Sequence, residues 1–290
     1  MIKTKYITGF FLILMMLPIL TIFSYLFIPS TEIWEHLIEN LLNIYLFNTA
    51  FLIFWVVFLT FVIGVSCAWL VTMYNFPGKN IFRWLLVFPL AIPTYVSAFI
   101  YAGLFEPSGI FFDVAEQVFG MGSTLYQTIG MRNIYGAAFI LTICLYPYVY
   151  LLCYSAFNQQ SYCAFEVGRS MGLTNTGCFL KIGLPLARPG IIAGLSFVIM
   201  ETLAEYGTMD YYGVSTFTTG IFRTWFGFGD ENSSLHLASI LLTFVFIVMI
   251  IEKYSRGRSQ YIHTSQTMRN IKEQNLYGFE SFCAFLWCFV

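Results

Sequence analysis

Two glutamates four residues apart, Glu201 and Glu205, lie in an apolar run and are followed by Tyr206, Asp210 and Tyr211. Four-residue spacing puts both carboxylates on one face of a helix. Carboxylates at membrane depth by default face the interior of a bundle and mark a pathway. Their oxygens suit a hard, highly charged cation, which a pathway would hold only transiently, without a stable metal site. In the alternative, the carboxylates are structural and the tyrosines belong to an interfacial aromatic belt.

A second set of residues, in the polar stretch 157–189, is suited to binding another protein. Residues 162–171 are predicted to form a short helix that ends at Gly172, because glycine favours the left-handed turn after a helix C-terminus. Glu166 offers a carboxylate for a charged hydrogen bond with an Arg or Lys of a partner. Small residues at positions 164, 167 and 168 would permit a partner surface to approach closely. The alternative is an ordinary loop between spans.

The elements that must position these residues are transmembrane helices. Hydrophobic residues make up 58% of the 290 and charged residues only 10%, against roughly 25% charged in soluble domains. A helix needs about 20 apolar residues to cross the hydrocarbon core. Six such runs are present, over residues 7–27, 45–71, 84–104, 134–156, 190–206 and 237–251. We therefore predict an all-α, polytopic transmembrane helical bundle with six full spans. Pro185 and Pro189 are expected to stop the preceding loop and redirect the chain into the fifth span.

Basic residues are distributed unevenly between the loops. If the six runs cross in alternation, 12 of the 14 basic residues lie on one side, and only Arg132 and Arg223 lie on the other. Basic loops stay in the cytoplasm. The N-terminus and the loop 157–189 are therefore predicted to be cytoplasmic, in a multi-pass protein of the bacterial inner (plasma) membrane.

The same patterns divide the chain into segments. These are a first span with its outward loop, a main helical core, a cytoplasmic linker and the start of a further apolar helix, over residues 1–43, 44–252, 253–278 and 279–290. The last segment is too short to span, so we expect a truncated seventh helix. The outward loop 106–133 is partly apolar and is expected to form a short helix at the membrane surface or a cap over the bundle.

Several other chemistries have no support in the sequence. There is no G-x-x-x-x-G-K-[ST] motif, so this chain is not expected to bind ATP through a P-loop, and there is no H-E-x-x-H motif. His36, His236 and His263 are scattered, and no close-spaced cysteine pair suggests a metal site. We expect neither an enzyme nor a nucleic-acid-binding protein, and no cofactor on this chain.

The loop 157–189 resembles the EAA loop of the permeases of type I, binding-protein-dependent ABC importers. The match is in register at five positions, Glu166, Gly172, Ile182, Leu184 and Pro185, and departs from the family pattern at Val167-Gly168, where the family has two alanines. The resemblance implies that all seven residues belong to a coupling helix and its flank, which dock on a dimer of separate ATPase subunits holding ATP and Mg. It also implies a periplasmic substrate-binding protein, a second permease half and the lipid bilayer as partners.

Residues 200–214 and 216–225 resemble the corresponding stretch in the N-terminal half of ferric-iron permeases. This resemblance implies that Fe³⁺ passes transiently by Glu201 and Glu205. Permeases for thiamine, polyamine, sulfate or phosphonate are the alternatives within the class, and a channel or ion-coupled secondary transporter is the alternative outside it. Because such ferric permeases usually carry two homologous halves, we expect this chain to be a truncated or split first half that requires a second half in trans. In the alternative, the tail packs as an unusual stub.

Overall fold

The computed structural model describes residues 2–29, 31–106, 109–120, 130–158, 162–256 and 274–289. Within these ranges the chain is almost entirely helical. The α-helices are α1 (Ile2–Ser24), α2 (Glu32–Asn40), α3 (Leu42–Met73), α4 (Lys79–Leu85), α5 (Thr94–Leu104), α6 (Ile110–Phe119), α7 (Ile134–Asn158), α8 (Tyr162–Ser170), α9 (Asn175–Cys178), α10 (Leu184–Ala204), α11 (Gly207–Tyr212), α12 (Phe217–Phe222), α13 (Glu231–Arg256) and α14 (Gly278–Phe289). Two short parallel strands, β1 (Tyr74–Asn75) and β2 (Gln274–Asn275), pair with each other. Single 3-10 turns occur at Tyr25–Phe27 and Phe88–Ala91, and π turns at Phe179–Gly183 and Arg223–Gly227.

Five helical segments among the described residues are long and apolar enough to cross a membrane. They are Gly9–Phe27, Leu42–Met73, Ile134–Asn158, Asn175–Ala204 and Glu231–Ser255. They correspond to five of the six predicted spans, and the all-α membrane architecture is confirmed.

The remaining predicted span, residues 84–104, is not one straight helix. Lys79–Ala91 and Thr94–Leu104 pass as a span together, but they are bent by 96°. Pro89 and Pro93 explain the break, because proline lacks a backbone N–H and pushes the preceding residue away from helical conformation. The described part of the chain therefore has five spans, or six if the bent pair crosses as one.

The centre of the bundle is formed by α3, α7 and α10, which approach one another through glycines. A Cβ atom on Gly64 of α3 would lie 2.8 Å from the Cβ of Val149 in α7. A Cβ atom on Gly194 of α10 would lie 2.8 Å from the Cα of the same valine. Such contacts leave no room for a side chain, and small residues at helix contacts are typical of membrane bundles. The core is thus held by backbone-to-backbone approach of three spans.

The loop 157–189 continues directly into α10, and this differs from the prediction. Pro185 lies in the first turn of α10 and Pro189 one turn later, with the π turn Phe179–Gly183 before them. Proline is tolerated in a first turn, because its missing N–H would have no intrahelical partner there. The two prolines therefore do not stop the helix, and Asn175–Ala204 forms one helical segment of 30 residues. A movement of the loop can be transmitted along this segment into the bundle.

A cluster of hydroxyls around Asp230 holds the end of the bundle that is predicted to face outward. Thr31 Oγ1 and Ser233 Oγ each donate a hydrogen bond of 2.6 Å to Asp230 Oδ2. Thr31 caps α2 by accepting from Trp34 N, and Asp230 caps α13 by accepting from Ser233 N. Burial alone would raise the pKa of Asp230, but these hydrogen bonds outweigh it and lower the pKa below its ordinary value of 3.8. The cluster joins the starts of two helices.

Two further predicted segments are described only in part. The predicted outward loop 106–133 contains α6, as a short helix, while its residues 107, 108 and 121–129 lie outside the described residues. Most of the predicted linker, residues 257–273, also lies outside them. The last apolar segment is the 12-residue helix α14, which is too short to be a full span.

Candidate functional site

Helix α8 ends as the sequence predicts. Gly172 has a φ of +84°, in the left-handed region that glycine adopts without steric cost. Leu173 N donates to Gly168 O over 3.0 Å, and Gly172 N donates to Arg169 O over 2.9 Å. This pair of bonds is the Schellman arrangement, which satisfies the last carbonyls of a helix. The helix is therefore a short element with a defined end.

An aromatic cluster around Trp69, near the end of α3, holds α8 against the bundle. Phe165 of α8 is only 2% exposed, and its ring centroid lies 5.7 Å from that of Trp69 in an edge-on arrangement. Phe157 and Phe179, on either side of α8 in the sequence, lie 5.3 and 4.9 Å from the same ring. A Cβ atom on Gly183 would come within 2.7 Å of Trp69 Cζ3. Edge and tilted ring contacts add to the burial of apolar area, so the loop is fixed to α3.

The predicted binding residues of this loop divide into an internal and an external group. Gly168 is buried, and a Cβ atom there would lie 2.5 Å from Ile182 Cδ1 of the same chain. Glu166, Val167 and Met171 are exposed, with Val167 58% and Met171 79% accessible. We call these three residues the open face. The small residue at 168 thus packs within the chain, whereas Val167 points outward. Leu184 is half-buried and Pro185 is exposed.

Glu205 does not share a helical face with Glu201, contrary to the sequence prediction. Helix α10 ends at Ala204, and Glu205 has an extended backbone. The Glu205 carboxylate accepts hydrogen bonds from Thr94 Oγ1 (2.5 Å) and from Thr208 N (2.8 Å). It therefore bridges the first residue of α5 and the first turn of α11. This is the structural role that the sequence left open as an alternative.

Glu201 has a different environment. Its side chain is exposed on α10, and Tyr148 Oη of α7 approaches Glu201 Oε1 at 3.5 Å, at the limit of a hydrogen bond. The Tyr148 ring stacks on Phe197, with centroids 5.9 Å apart. The carboxylate of Glu201 thus lies exposed at the edge of an aromatic surface.

The remaining predicted pathway residues lie at the end of α10 and in α11. Tyr206 stacks on Phe222 with ring centroids 4.0 Å apart. Tyr211 accepts a hydrogen bond of 2.8 Å from Arg132 Nη2. Tyr206 is the N-cap of α11, and Asp210 and Tyr211 lie within α11, so the three residues follow the break between α10 and α11.

Arg132 is the residue of this region that the sequence did not identify as part of a site. Its guanidinium lies 4.7 Å from the centroid of Tyr211 and donates to Glu106 Oε1 over 2.7 Å. Both side chains of this ion pair are 40–50% exposed, so the pair itself contributes little to stability. The signal available from the sequence was that Arg132 is one of two basic residues on the predicted outward side. Among the described residues, no group of three or more His, Cys, Asp or Glu side chains could hold a metal ion.

The sequence matches one protein family and several curated relatives. Residues 60–259 match the family described as binding-protein-dependent transport system inner membrane component. Over 261 residues, 88% of the chain, the sequence is 24% identical to the Fe(3+)-transport system permease protein FbpB 2 of Haemophilus influenzae, covering 47% of that protein. Over 148 residues, 51% of the chain, it is 28% identical to the sulfate transport system permease protein CysT of Salmonella typhimurium, covering 50% of it. The chain spans about half the length of the curated relatives it matches.

The fold is also found in a solved transporter. The crystal structure of a bacterial ABC transporter involved in the import of the acidic polysaccharide alginate superposes with a TM-score of 0.65. The match covers 90% of this chain and 98% of that chain at 14% sequence identity. At this identity the similarity concerns the arrangement of helices alone.

Proposed function

The chain belongs to the family of binding-protein-dependent transport system inner membrane components, as a type I ABC importer permease, and from this premise we propose that it is driven by a separate ATPase through α8. The observation that carries the proposal is the open face. Glu166, Val167 and Met171 are exposed on a short helix that is fixed to α3 by Trp69. A dimer of ATPase subunits, with its ATP and Mg, binds this face and moves Asn175–Ala204 as one segment.

The proposed assembly places this chain in the bacterial inner membrane with its N-terminus in the cytoplasm. A periplasmic binding protein delivers the solute, and a second permease half completes the pathway. This orientation is supported by the basic residues, because the loop that carries the open face also holds Arg169, Lys181 and Arg188. The pathway then runs past Glu201 towards Tyr206 and Asp210.

The proposed substrate is ferric iron. The similarity to a ferric permease extends over 88% of the chain, and Glu201 offers carboxylate oxygens of the kind that hard cations prefer. Fe³⁺ is cargo here, held weakly and released. Sulfate is the second candidate, because the relative that carries this name is 28% identical over about half of the chain. A sulfate anion would be repelled by Glu201, so the two candidates predict opposite effects of removing this charge.

Uptake measurements distinguish the two substrates. Cells lacking the gene, grown under iron limitation, are given radioactive Fe³⁺ or radioactive sulfate, with the wild-type gene or Glu201→Gln restored. We expect iron uptake to require the gene and to fall on the order of tenfold in Glu201→Gln, equivalent to about 1.4 kcal/mol. Glu35→Gln, at an exposed glutamate of α2, is the matched control and should behave as wild type. Iron uptake that is unchanged by deletion, together with lost sulfate uptake, would replace the first candidate by the second.

A further inference from the structure

Helix α14 packs on α3 through small side chains, although its large side chains are mostly exposed. The buried face of α14 consists of residues three and four apart, Ser281, Ala284 and Cys288. The buried thiols of Cys288 and of Cys67 in α3 lie close enough to interact, and Trp287 Nε1 donates a hydrogen bond to Ser66 Oγ over 2.8 Å. Small residues permit this close approach of two helices. The packing of α14 on α3 is therefore specific, because it depends on complementary small side chains and on the hydrogen bond from Trp287 to Ser66.

A strand pair connects the start of the same segment to the end of α3. Asn75 pairs with Asn275 in register, and their side chains are joined by a hydrogen bond of 2.9 Å from Nδ2 to Oδ1. Leu276 N donates to Asn75 O over 3.0 Å. Residues 274–289, which we call the 274–289 segment, are thus attached to α3 at both ends.

The first residue of this segment also contacts α8. With the Gln274 amide oriented so that its oxygen faces α8, this oxygen accepts from both terminal nitrogens of Arg169, over 2.6 Å from Nη1. Arg169 is half-buried, and its Nε has no hydrogen-bond partner. Burying part of a cation requires compensating hydrogen bonds, and the Gln274 oxygen accepts two of them. The side chain of Arg169 therefore links the 274–289 segment to the helix that carries the open face.

Beyond Gln274 the 274–289 segment and the loop 157–189 are separated by a cavity of about 770 Å³, lined by residues that include Trp69, Thr176 and Trp287. The contact between the 274–289 segment and α8 is therefore small, and breaking it leaves the packing of α14 on α3 intact. A movement of α8 away from α3 has to break the bonds between Arg169 and Gln274 in addition to the ring contacts around Trp69.

We infer that the 274–289 segment is an intramolecular restraint on α8, which holds the open face in its present position until an ATPase partner displaces it. The restraint acts through the Arg169–Gln274 contact and is anchored by the strand pair and by α14. This inference rests on the proposed function for the identity of the partner, whereas the restraint itself is a property of this chain alone.

Hydrogen exchange on the purified full chain in lipid nanodiscs tests the restraint directly. Gln274→Ala should raise the exchange rate of backbone amides in residues 165–173 by about fivefold, the effect of losing one hydrogen-bonded contact in a local opening. Exchange in α14 should not change. Tyr277→Ala, at a neighbouring side chain that is 77% exposed, is the matched control and should resemble wild type. Equal exchange in the two variants overturns the inference.

Oxidation of the native cysteines tests the anchoring. Copper phenanthroline, which supplies Cu(II) as the oxidant, removes two electrons and two protons from the thiols of Cys67 and Cys288 to form an intrachain disulfide. We expect mass spectrometry to find this bond in wild type, and not one between Cys67 and the exposed Cys283. Absence of the Cys67–Cys288 bond in the oxidised wild-type chain overturns the inference.

In the assembled transporter, Gln274→Ala should raise ATP hydrolysis in the absence of substrate about fivefold over Tyr277→Ala, for the same reason. Failure of the wild-type chain to assemble with any ATPase would contradict the proposed function, and the exchange measurement would still decide whether the restraint exists.

Discussion

Alanine substitution should lower the stability of the fold at Glu205 and impair transport at Glu201, because the structure separates the roles of the two carboxylates. Glu205 accepts from Thr94 Oγ1 and Thr208 N and so joins α5 to α11. Hydrogen bonds to a charged group contribute about 1.5–3 kcal/mol each. Glu205 is half-buried and both bonds share one carboxylate, so we expect Glu205→Ala to cost about 2 kcal/mol in total. Glu201→Ala removes only a marginal contact with Tyr148 and should change stability by less than about 0.5 kcal/mol.

The assay is thermal unfolding of the purified chain in detergent, followed by the loss of monodisperse protein. Glu205→Ala should lower the Tm by about 5 °C, and Glu201→Ala by less than about 2 °C. Glu205→Gln keeps an oxygen for Thr208 N and a donor for Thr94, so its decrease should be about half as large. In uptake the order reverses, because Glu201→Ala impairs transport in protein of normal stability. Equal decreases in Tm for the two alanine variants would refute the division of roles.

Three further changes test other parts of the structure. Gly172→Ala should destabilise the end of α8 by about 1 kcal/mol, because its φ of +84° strains any residue with a Cβ, although the new Cβ itself meets no atom within 4 Å. The variant should weaken ATPase binding in co-purification and leave the Tm of the bundle unchanged. Gly194→Ala should cost about 2 kcal/mol, because its Cβ would lie 2.8 Å from Val149 Cα, whereas Gly103→Ala, with nothing within 4 Å, should keep or slightly raise the Tm. The lowered pKa of Asp230 stabilises the fold above the ordinary carboxyl pKa of 3.8 and is lost as the pH falls through the folded-state value; Asp230→Asn should therefore lower the Tm at pH 7 and show a smaller further decrease on acidification than wild type. A wild-type-like Tm for Gly194→Ala, or identical pH profiles for Asp230→Asn and wild type, would contradict the corresponding contacts.

Much of the bundle follows from hydrophobic run length, because about 20 apolar residues leave a membrane helix as the only structure that satisfies its backbone. Gly172 could likewise be identified from sequence as a helix end, since its conformation depends on local chemistry alone. The prolines behaved differently. Pro89 and Pro93 break a predicted span, whereas Pro185 and Pro189 lie inside a continuous helix. The effect of a proline depends on whether neighbouring turns can accommodate its missing N–H, which run length does not encode.

The relative placement of the candidate pathway residues Glu201 and Glu205 could not be predicted from the sequence, for a geometric reason. The four-residue spacing of Glu201 and Glu205 predicts one face only if the helix continues, and α10 ends between them at Ala204. The partner that makes Glu205 structural, Thr94, lies 111 residues earlier in the chain. The 274–289 segment illustrates the same limit, since its contacts with Arg169 and Ser66 join positions that no local pattern relates.

The most direct test of the central claim is photo-crosslinking from the open face in intact cells. Benzoylphenylalanine is placed at Met171, which is 79% exposed, and in a second strain at Phe226, which is 76% exposed on the predicted outward side. The account predicts that the probe at Met171 captures a protein with a Walker A motif, identified by mass spectrometry, and that the probe at Phe226 does not. Capture of such an ATPase only from Phe226, or of no ATPase from Met171, would contradict it.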